Sequence, residues 1–354
     1  MSTGHRPTNE IPHDVSTLLK HYQCRTGEIS GVTGPLSGGF SGALVFCVQA
    51  QSGEKYALRR WPASQEPQPL RAHLSRMEWL YQQGVKQVAL PIRTANDDGI
   101  TGHQGHWWHL EQWKSGRSLL ETGCTLKALK SAMKAVAQLH SVSHRLENRQ
   151  TQQEFLQPSA AVTARRNLLR QVSPGEAILP NLKLGNAVTS EWDKVYRDAM
   201  DRYSFRHATL TDRYEAWFHR PLRTQFLFRD LWAAHVIVEA DECTGLIDPS
   251  LNAHDHPVVD LARLLSTTLG AVWTSDWDDA LESYNRGNPL ASDEVELLRL
   301  LGESSCLLSA IQWFRRLSDP RQAFSNEQSP FILQRLKQLL MWDSGRTEIL
   351  RPEL

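Results

Sequence analysis

Hydrophobic and polar positions follow two different periods along the chain. Between residues 31 and 113 the apolar residues come in short runs, at 43–48, 56–58, 88–92 and 107–113, separated by glycine or polar turns such as Ser52-Gly53. Short apolar runs with that punctuation predict β-strands. One interruption keeps helical spacing, with Leu70, Leu74, Met77 and Leu80 or Tyr81 on a single stripe. Beyond residue 125 the helical period takes over. Leu126, Leu129, Met133, Val136, Ala137 and His140 mark a buried helix; Leu307, Ile311 and Phe314, and then Ile332, Leu336 and Leu340, mark two more. Residues 15–22 predict a short leading helix behind a polar tail at 1–14. The strand pattern returns once inside the helical half, at 226–248. It reads as an apolar strand end, a loop carrying Asp230, a short strand at 235–238, a polar turn, and a second strand ending on Asp248.

That return delivers two carboxylates, Asp230 and Asp248, at the ends of neighbouring β segments, where they can converge. Carboxylate oxygens on rigid elements suit a hard cation such as Mg²⁺, and a carboxylate can also accept a proton from a hydroxyl. An aspartate in a strand-loop-strand unit is by itself most often a turn-former. The ordered set Asp230, Asp248 and then Asp260-Leu261-Ala262-Arg263 opening a helix is far more specific. In the first half, Ser37, Gly38, Gly39, Phe40, Ser41 and Gly42 form a glycine-rich turn, of the kind that lets backbone N–H groups approach phosphates closely. No Lys-Ser or Lys-Thr follows, so it is not a P-loop of the G-x-x-x-x-G-K-[ST] kind. The next hairpin strand ends on Arg59, whose guanidinium can hold phosphate bidentately, while Arg60 points to the opposite face. His103, His106 and His109 are spaced three apart, but Gly102, Gly105 and the paired tryptophans read as strand and turn. There His106 and His109 face opposite sides, which argues against a zinc site.

Composition narrows the classes. The chain has 354 residues, 40% hydrophobic and 22% charged, with zero formal charge, so neither nucleic acid nor an anionic membrane is an expected partner. Five cysteines, Cys24, Cys47, Cys124, Cys243 and Cys306, form no C-x-x-C pair and predict reduced thiols in a cytoplasmic protein. No apolar run reaches membrane-spanning length, the amino-terminal stretch lacks a signal-peptide core, and no internal repeat is found.

Taken in order, these residues resemble the aminoglycoside phosphotransferase and choline kinase-like superfamily over about residues 30–315. The superfamily pattern H-G-D-x-x-x-x-N, closed by a hairpin ending in I-D, fits in spacing Asp230, His235 and Ile247-Asp248, with Phe228-Arg229 in place of the usual His-Gly and His235 in place of the Asn. Tyr56-Ala57-Leu58-Arg59 and Gln138-Leu139-His140 also match family segments. The resemblance implies an α+β, two-lobed, protein-kinase-like fold: a small antiparallel β lobe with one helix at 31–113, and a larger, mostly α lobe at 114–354. The second lobe would hold the catalytic loop at 224–265 and a substrate-selecting helical insertion at 145–215. The resemblance further implies that ATP binds with its phosphates at Ser37 to Gly42 and against Arg59, and with adenine at the hinge that begins at Glu111 and Trp113. Glu78 or His73 on the helix would steady Arg59. Asp230 would be the catalytic group, Asp248 a metal ligand, and His235 would stand where relatives have the second ligand. The metal would be Mg²⁺, or Mn²⁺ because imidazole suits a softer ion.

The same resemblance makes His140 a structural histidine and Asp260 a cap that holds the catalytic loop. It also implies that a small hydroxylated metabolite is the acceptor. Arg145, Arg149, Arg165, Arg166 and Arg170 in the insertion read either as a solvated face or as a pocket for an anion. Two rival functions remain: a nucleotide-binding pseudokinase scaffold, suggested by Arg59, Phe228 and His235, and a metal-dependent hydrolase built on Asp230, His235, Asp248 and His254 or His256.

Overall fold

The computed structural model describes residues 13–36, 43–151, 156–175, 186–251, 253–319 and 328–345. The chain divides into two compact units, one made of the residues up to Gly116 together with Thr244–Ile247, the other of Arg117–Cys243 and Asp248–Leu354.

The first unit is built on an antiparallel sheet of six strands: β1 (Ile29–Thr33), β2 (Leu44–Ala50), β3 (Lys55–Arg60), β4 (Pro91–Ile92), β5 (Thr101–His103) and β6 (His106–Gln112), in the order β1-β2-β3-β6-β4 with β5 beside β6. Alternation along β2 and β3 sends Phe46, Val48, Tyr56 and Leu58 inward, where Trp108 and Leu110 of β6 meet them. Leu18, Leu19 and Tyr22 complete this core. The leading helix, His13–Leu19, is therefore an integral layer of the unit, since its Val15, Leu18 and Leu19 are buried in that core. The helix Pro67–Gln82 buries Leu70, His73, Leu74, Met77 and Leu80. The expected stripe is present, with Leu80 rather than Tyr81 completing it. The expected strand at 88–92 is reduced to Pro91–Ile92, preceded by a single parallel bridge from Val88 to Leu246. Proline at residue 91 lacks the N–H that a longer central strand would need.

The second unit is largely helical. Leu126–Thr151 packs against Ser275–Asn285, and Ser292–Ser318 packs against Val258–Thr268, Ser329–Asp343 and Asn186–Phe218. The predicted stripes are the buried ones: Leu307, Ile311 and Phe314, and Ile332, Leu336 and Leu340, all lie in the core. Trp277 passes so close to Gly302 that a Cβ there would stand 2.6 Å from the indole, so the helix crossing requires glycine. Trp277, Trp342, Tyr203, Tyr214, Tyr284, Phe226, Phe228 and Phe314 are fully buried. Each contributes on the order of 1.5–3 kcal/mol of apolar burial. Short strands interrupt the helices: Gln225–Phe226 pairs with His254–Asp255, Leu156–Pro158 with Pro221–Arg223, and Val236–Glu239 with Arg117–Ser118.

Candidate active site

The Asp230 loop is fixed from below by a buried carboxylate. Phe226, Leu227 and Phe228 are buried, and Leu227 N–H donates to the Ala253 carbonyl at 3.0 Å, which brings the chain out of the strand pair at one position. Asp260, fully buried in the first turn of the helix Val258–Thr268, then accepts from the backbone N–H of Phe228 at 2.9 Å and of Arg229 at 2.6 Å. On its other side it meets His140 Nε2 at 3.2 Å. A carboxylate in the first helical turn is favoured by the exposed N–H dipoles there. Burial raises the Tyr284 phenol well above its usual range, so it stays protonated and donates to His140 Nδ1 at 2.9 Å, leaving Nε2–H to donate to Asp260. His140 and Asp260 thus have the structural roles that the resemblance implied. Phe228, where relatives have histidine, lends only its backbone to this bonding, and its ring is core.

The clamp has a conformational consequence. Arg229 sits at φ 62°, a left-handed conformation that costs a non-glycine residue of order 1 kcal/mol or more. Its N–H is held by the shorter of the two bonds to Asp260. The side chain of Asp230 emerges 49% exposed, with Oδ1 at 3.3 Å from Arg263 Nη2. Asp248 also has positive φ, 58°, which aspartate tolerates better than most residues, and its side chain is 46% exposed.

His235 has a different set of partners from the metal ligand expected at its position. It closes a short 3₁₀ turn, Ala233–His235, and Trp232 Nε1–H donates to its Nε2 at 3.1 Å. An indole N–H can only donate, so Nε2 is the acceptor and the ring proton is on Nδ1. From there it donates to the Asp230 carbonyl at 2.7 Å. The approach of Nε2 to Asp248 Oδ2, 3.6 Å, is then that of a neutral ring to a carboxylate rather than an ion pair. The lone pair a cation would need is engaged by Trp232. Among the described residues no group of three His, Cys, Asp or Glu side chains could hold a metal. Asp248 offers exposed hard oxygens and fits Mg²⁺; His235, bonded in this way, does not.

Beside Asp230 lies a pair of arginines, Arg263 and Arg335, that come from distant segments of the chain. Arg263, in the helix that carries Asp260, reaches Asp230 and also donates to Ser309 Oγ at 3.3 Å. Arg335 lies with its guanidinium carbon 3.9 Å over the Trp232 ring and 5.1 Å from the Trp342 ring, and donates to Gln338 Oε1 at 3.0 Å. Burial, and after it the charge of Arg263, disfavour the charged form of Arg335.

In the first unit, the two helix residues expected beside Arg59 fare differently, His73 lying close enough to feel its charge. Glu78 is taken by Arg93, and His73 is buried. The carboxylate facing Arg59 is Glu111 on β6, with Arg59 Nη2 at 3.8 Å and His109 Nε2 at 3.3 Å from its two oxygens. Burial works against the ionised form of Glu111. The hydrogen bond from His109 and the charges of His109, Arg59 and His73 outweigh it and hold Glu111 below the usual carboxylate range. Trp61 Nε1–H donates to His109 Nδ1 at 2.8 Å, and Arg59 also lies 5.7 Å from the Trp61 ring. The reason is register: Arg59 pairs with His109 and Ala57 with Glu111, so adjacent strands bring these side chains to one place. Trp113 N–H donates to the Lys55 carbonyl at 3.2 Å. The glycine-rich turn from Ser37 to Gly42 lies outside the described residues.

Among the remaining candidates, Arg165 keeps a buried Nη1 without a described hydrogen-bond partner, whereas two neighbouring arginines are paired. Arg166 and Arg170 share Glu215 at 2.8 and 2.7 Å, and Arg166 stacks 3.7 Å over Phe218. These two insertion arginines are therefore neutralised within their own layer. His256 bonds Glu294 at 2.8 Å, Arg223 reaches the same oxygen at 3.1 Å, and Asp255 accepts from Ala161 N–H. Of the two imidazoles that the hydrolase reading would draw on, His256 is thus occupied in the interior, while His254 is exposed.

The sequence model of the Phosphotransferase enzyme family matches residues 33–298. The chain belongs to that family. The fold is protein-kinase-like, with an antiparallel sheet in the first unit and helices in the second. Spectinomycin phosphotransferase APH(9)-Ia, solved with ADP and spectinomycin, is 13% identical and superposes with a TM-score of 0.66, covering 93% of this chain and 97% of that one. An amicoumacin kinase solved with AMP-PNP and Ca²⁺ is 13% identical, with a TM-score of 0.58 and 92% of each chain covered. An aminoglycoside phosphotransferase from Alicyclobacillus acidocaldarius is 16% identical, with a TM-score of 0.56 over 97% of this chain and 95% of that one. Likeness at such identities carries the fold and leaves the acceptor open. No curated protein sequence matches the chain closely enough to count as a relative. Among the described residues no helix is long and apolar enough to cross a membrane.

Proposed function

We propose that the protein is an ATP-dependent kinase that phosphorylates a hydroxyl group of a small molecule. The observation that carries this reading is the Asp230 loop. A half-exposed carboxylate stands on a backbone that Asp260 clamps through two consecutive N–H groups, three positions before the short turn that ends on His235. In phosphoryl transfer the protein mainly positions groups and neutralises charge. Asp230 orients the acceptor hydroxyl and takes its proton late. Asp248 holds the Mg²⁺ that would neutralise phosphate oxygens. Arg59, steadied by Glu111, holds the α- and β-phosphates, with the turn from Ser37 to Gly42 and the backbone at Glu111 and Trp113 completing the nucleotide site.

The test separates the two carboxylates. Asp248→Ala should abolish metal-dependent ATP binding in calorimetry, whereas Asp230→Ala should leave it intact and remove transfer, read as ADP release over a panel of hydroxylated compounds. Equal loss of nucleotide affinity in both variants overturns this division of roles. The pseudokinase reading has one observation in its favour, the bond from Trp232 to the position of the second metal ligand. It predicts a nucleotide-induced melting shift with no ADP formed for any acceptor, in Mg²⁺ or Mn²⁺.

A further inference from the structure

Two guanidinium groups stand beside the carboxylate assigned to the acceptor, and among the described residues Asp230 is the one carboxylate that acts on both. Arg263 reaches it directly at 3.3 Å. Arg335 is joined to the same loop by another route. Its guanidinium lies 3.9 Å over Trp232, the Trp232 indole bonds His235, and His235 bonds the Asp230 carbonyl. No described carboxylate lies within ion-pair distance of Arg335, whose printed hydrogen bond goes to the neutral Gln338 amide. Among the described residues, Asp230 is thus the carboxylate that faces two guanidinium groups.

A charge withdrawn from water without a counter-charge destabilises the folded state, and a bond to an amide does not replace it. A role for Arg263 in holding Asp230 accounts for one arginine and leaves the second without a reason. Arginine is the side chain suited to planar, bidentate recognition of carboxylate or phosphate, and stacking on an aromatic face keeps its fork pre-aligned.

We propose that Arg263 and Arg335 bind a carboxylate or phosphate group of the acceptor, so that the substrate is an anionic hydroxyl compound such as a hydroxy acid or a sugar phosphate. This rests on the kinase reading of Asp230 and specifies its substrate class. The anion completes the charge balance, and its attachment beside Asp230 sets which hydroxyl the carboxylate meets. A cationic acceptor would be repelled from the same place. The insertion arginines read from the sequence either as a solvated face or as an anion pocket; of these, Arg166 and Arg170 are satisfied by Glu215.

The experiment uses the full chain and matched pairs of probes at constant ionic strength: gluconate against sorbitol, and glycerol 3-phosphate against glycerol. Melting temperature is followed through a titration of each, for the wild type and for Arg335→Gln, Arg335→Lys and Arg263→Gln. The wild type should show saturable stabilisation by at least one anionic member and none by its neutral partner. The Gln variants should move the half-saturation point by roughly tenfold or more, the loss expected for one charge-assisted contact. Arg335→Lys keeps the charge without the fork and should fall between. Absence of saturable stabilisation by either anion overturns the proposal, as does an unchanged response in both Gln variants. ATP affinity is measured in parallel. A variant that loses ATP instead of the anion assigns the arginines to the nucleotide and also overturns it. ADP formation with a cationic or neutral acceptor alone sinks the anionic class and leaves the kinase reading standing. Failure of the wild type to bind ATP sinks the kinase reading while the anion titration still reports on the arginines.

Discussion

Asp260→Asn is the substitution that most directly tests how the catalytic loop is held. Asparagine has the shape of aspartate but one acceptor oxygen, and the two oxygens of Asp260 are both in use: Oδ2 by Phe228 N–H at 2.9 Å and His140 at 3.2 Å, Oδ1 by Arg229 N–H at 2.6 Å. Whichever way the amide turns, its NH₂ faces a backbone donor. One hydrogen bond to a charged acceptor is lost, at about 1.5–3 kcal/mol, and one buried N–H is left unsatisfied, at about 1–3 kcal/mol. These costs overlap, so about 3–5 kcal/mol is expected in total. For a unit of this size, at about 2–4 °C per kcal/mol, the melting temperature should fall by on the order of 10 °C. The assay is thermal unfolding followed by near-ultraviolet circular dichroism, with ATP affinity and ADP release measured well below the transition. Release of the Arg229 N–H also frees the left-handed turn, so turnover should fall further than nucleotide affinity. An Asn variant that melts within about 2 °C of the wild type would show that the carboxylate does not hold the loop.

Glu111→Gln removes the carboxylate facing Arg59 and should weaken ATP by on the order of tenfold while leaving adenosine unchanged; equal losses for both would make Glu111 a residue of the sheet alone. His73 is pulled down to about 3, first by burial and then by the charge of His109, from an ordinary value of 6.5. The unfolded chain therefore takes up this proton before the folded one, and stability, complete above 6.5, falls as pH drops from 6.5 towards 3 by up to about 1.4 kcal/mol per pH unit. His73→Leu should flatten the decline of melting temperature in that window, and an unchanged slope refutes the assignment. His235→Asn should cost about 1–3 kcal/mol in unfolding free energy through the lost bonds to Trp232 and Asp230 while leaving the ratio of Mn²⁺ to Mg²⁺ rates unchanged; a shifted ratio would put the imidazole at the metal.

Apolar periodicity made the helices legible, because a stripe such as Leu307, Ile311 and Phe314 has one way to be buried. The order of Asp230, Asp248 and Asp260 carried the site for a similar reason: those residues are fixed by chemistry at set spacings along one continuous segment. The rest depended on contacts between distant segments. Glu78 has the right residue type for Arg59, but strand register puts His109 opposite Arg59 and Glu111 two residues along the same strand, and register across β3 and β6 joins residues some fifty apart. Trp232 reads in the sequence as one more apolar residue after the loop, and its capture of His235 Nε2 depends on the 3₁₀ turn folding the chain back. Arg335 comes from the last described helix, more than a hundred residues after Asp230. No local pattern could have brought those two together. The short leading helix is legible in the sequence, but the burial of its Val15, Leu18 and Leu19 depends on distant strands.

The departures from the family pattern share a physical logic. At Phe228 the polar side chain is absent, and Asp260 holds the loop through backbone N–H groups, which every residue possesses. At His235 the second oxygen ligand is absent, and the imidazole is spent on tying the loop carbonyl of Asp230 to Trp232. The framework that aims Asp230 is thus intact, and the cost falls on the cation. Mg²⁺ dehydrates reluctantly and commonly keeps several waters while resting on one or two carboxylates and the substrate phosphates. With Asp248 as the protein's oxygen ligand, the nucleotide must supply more of the coordination, and metal and nucleotide should bind as one unit rather than in sequence. The affinity of free Mg²⁺ should accordingly be too weak to protect the apoprotein in a melting experiment, while ATP and Mg²⁺ together stabilise it more than the sum of their separate effects.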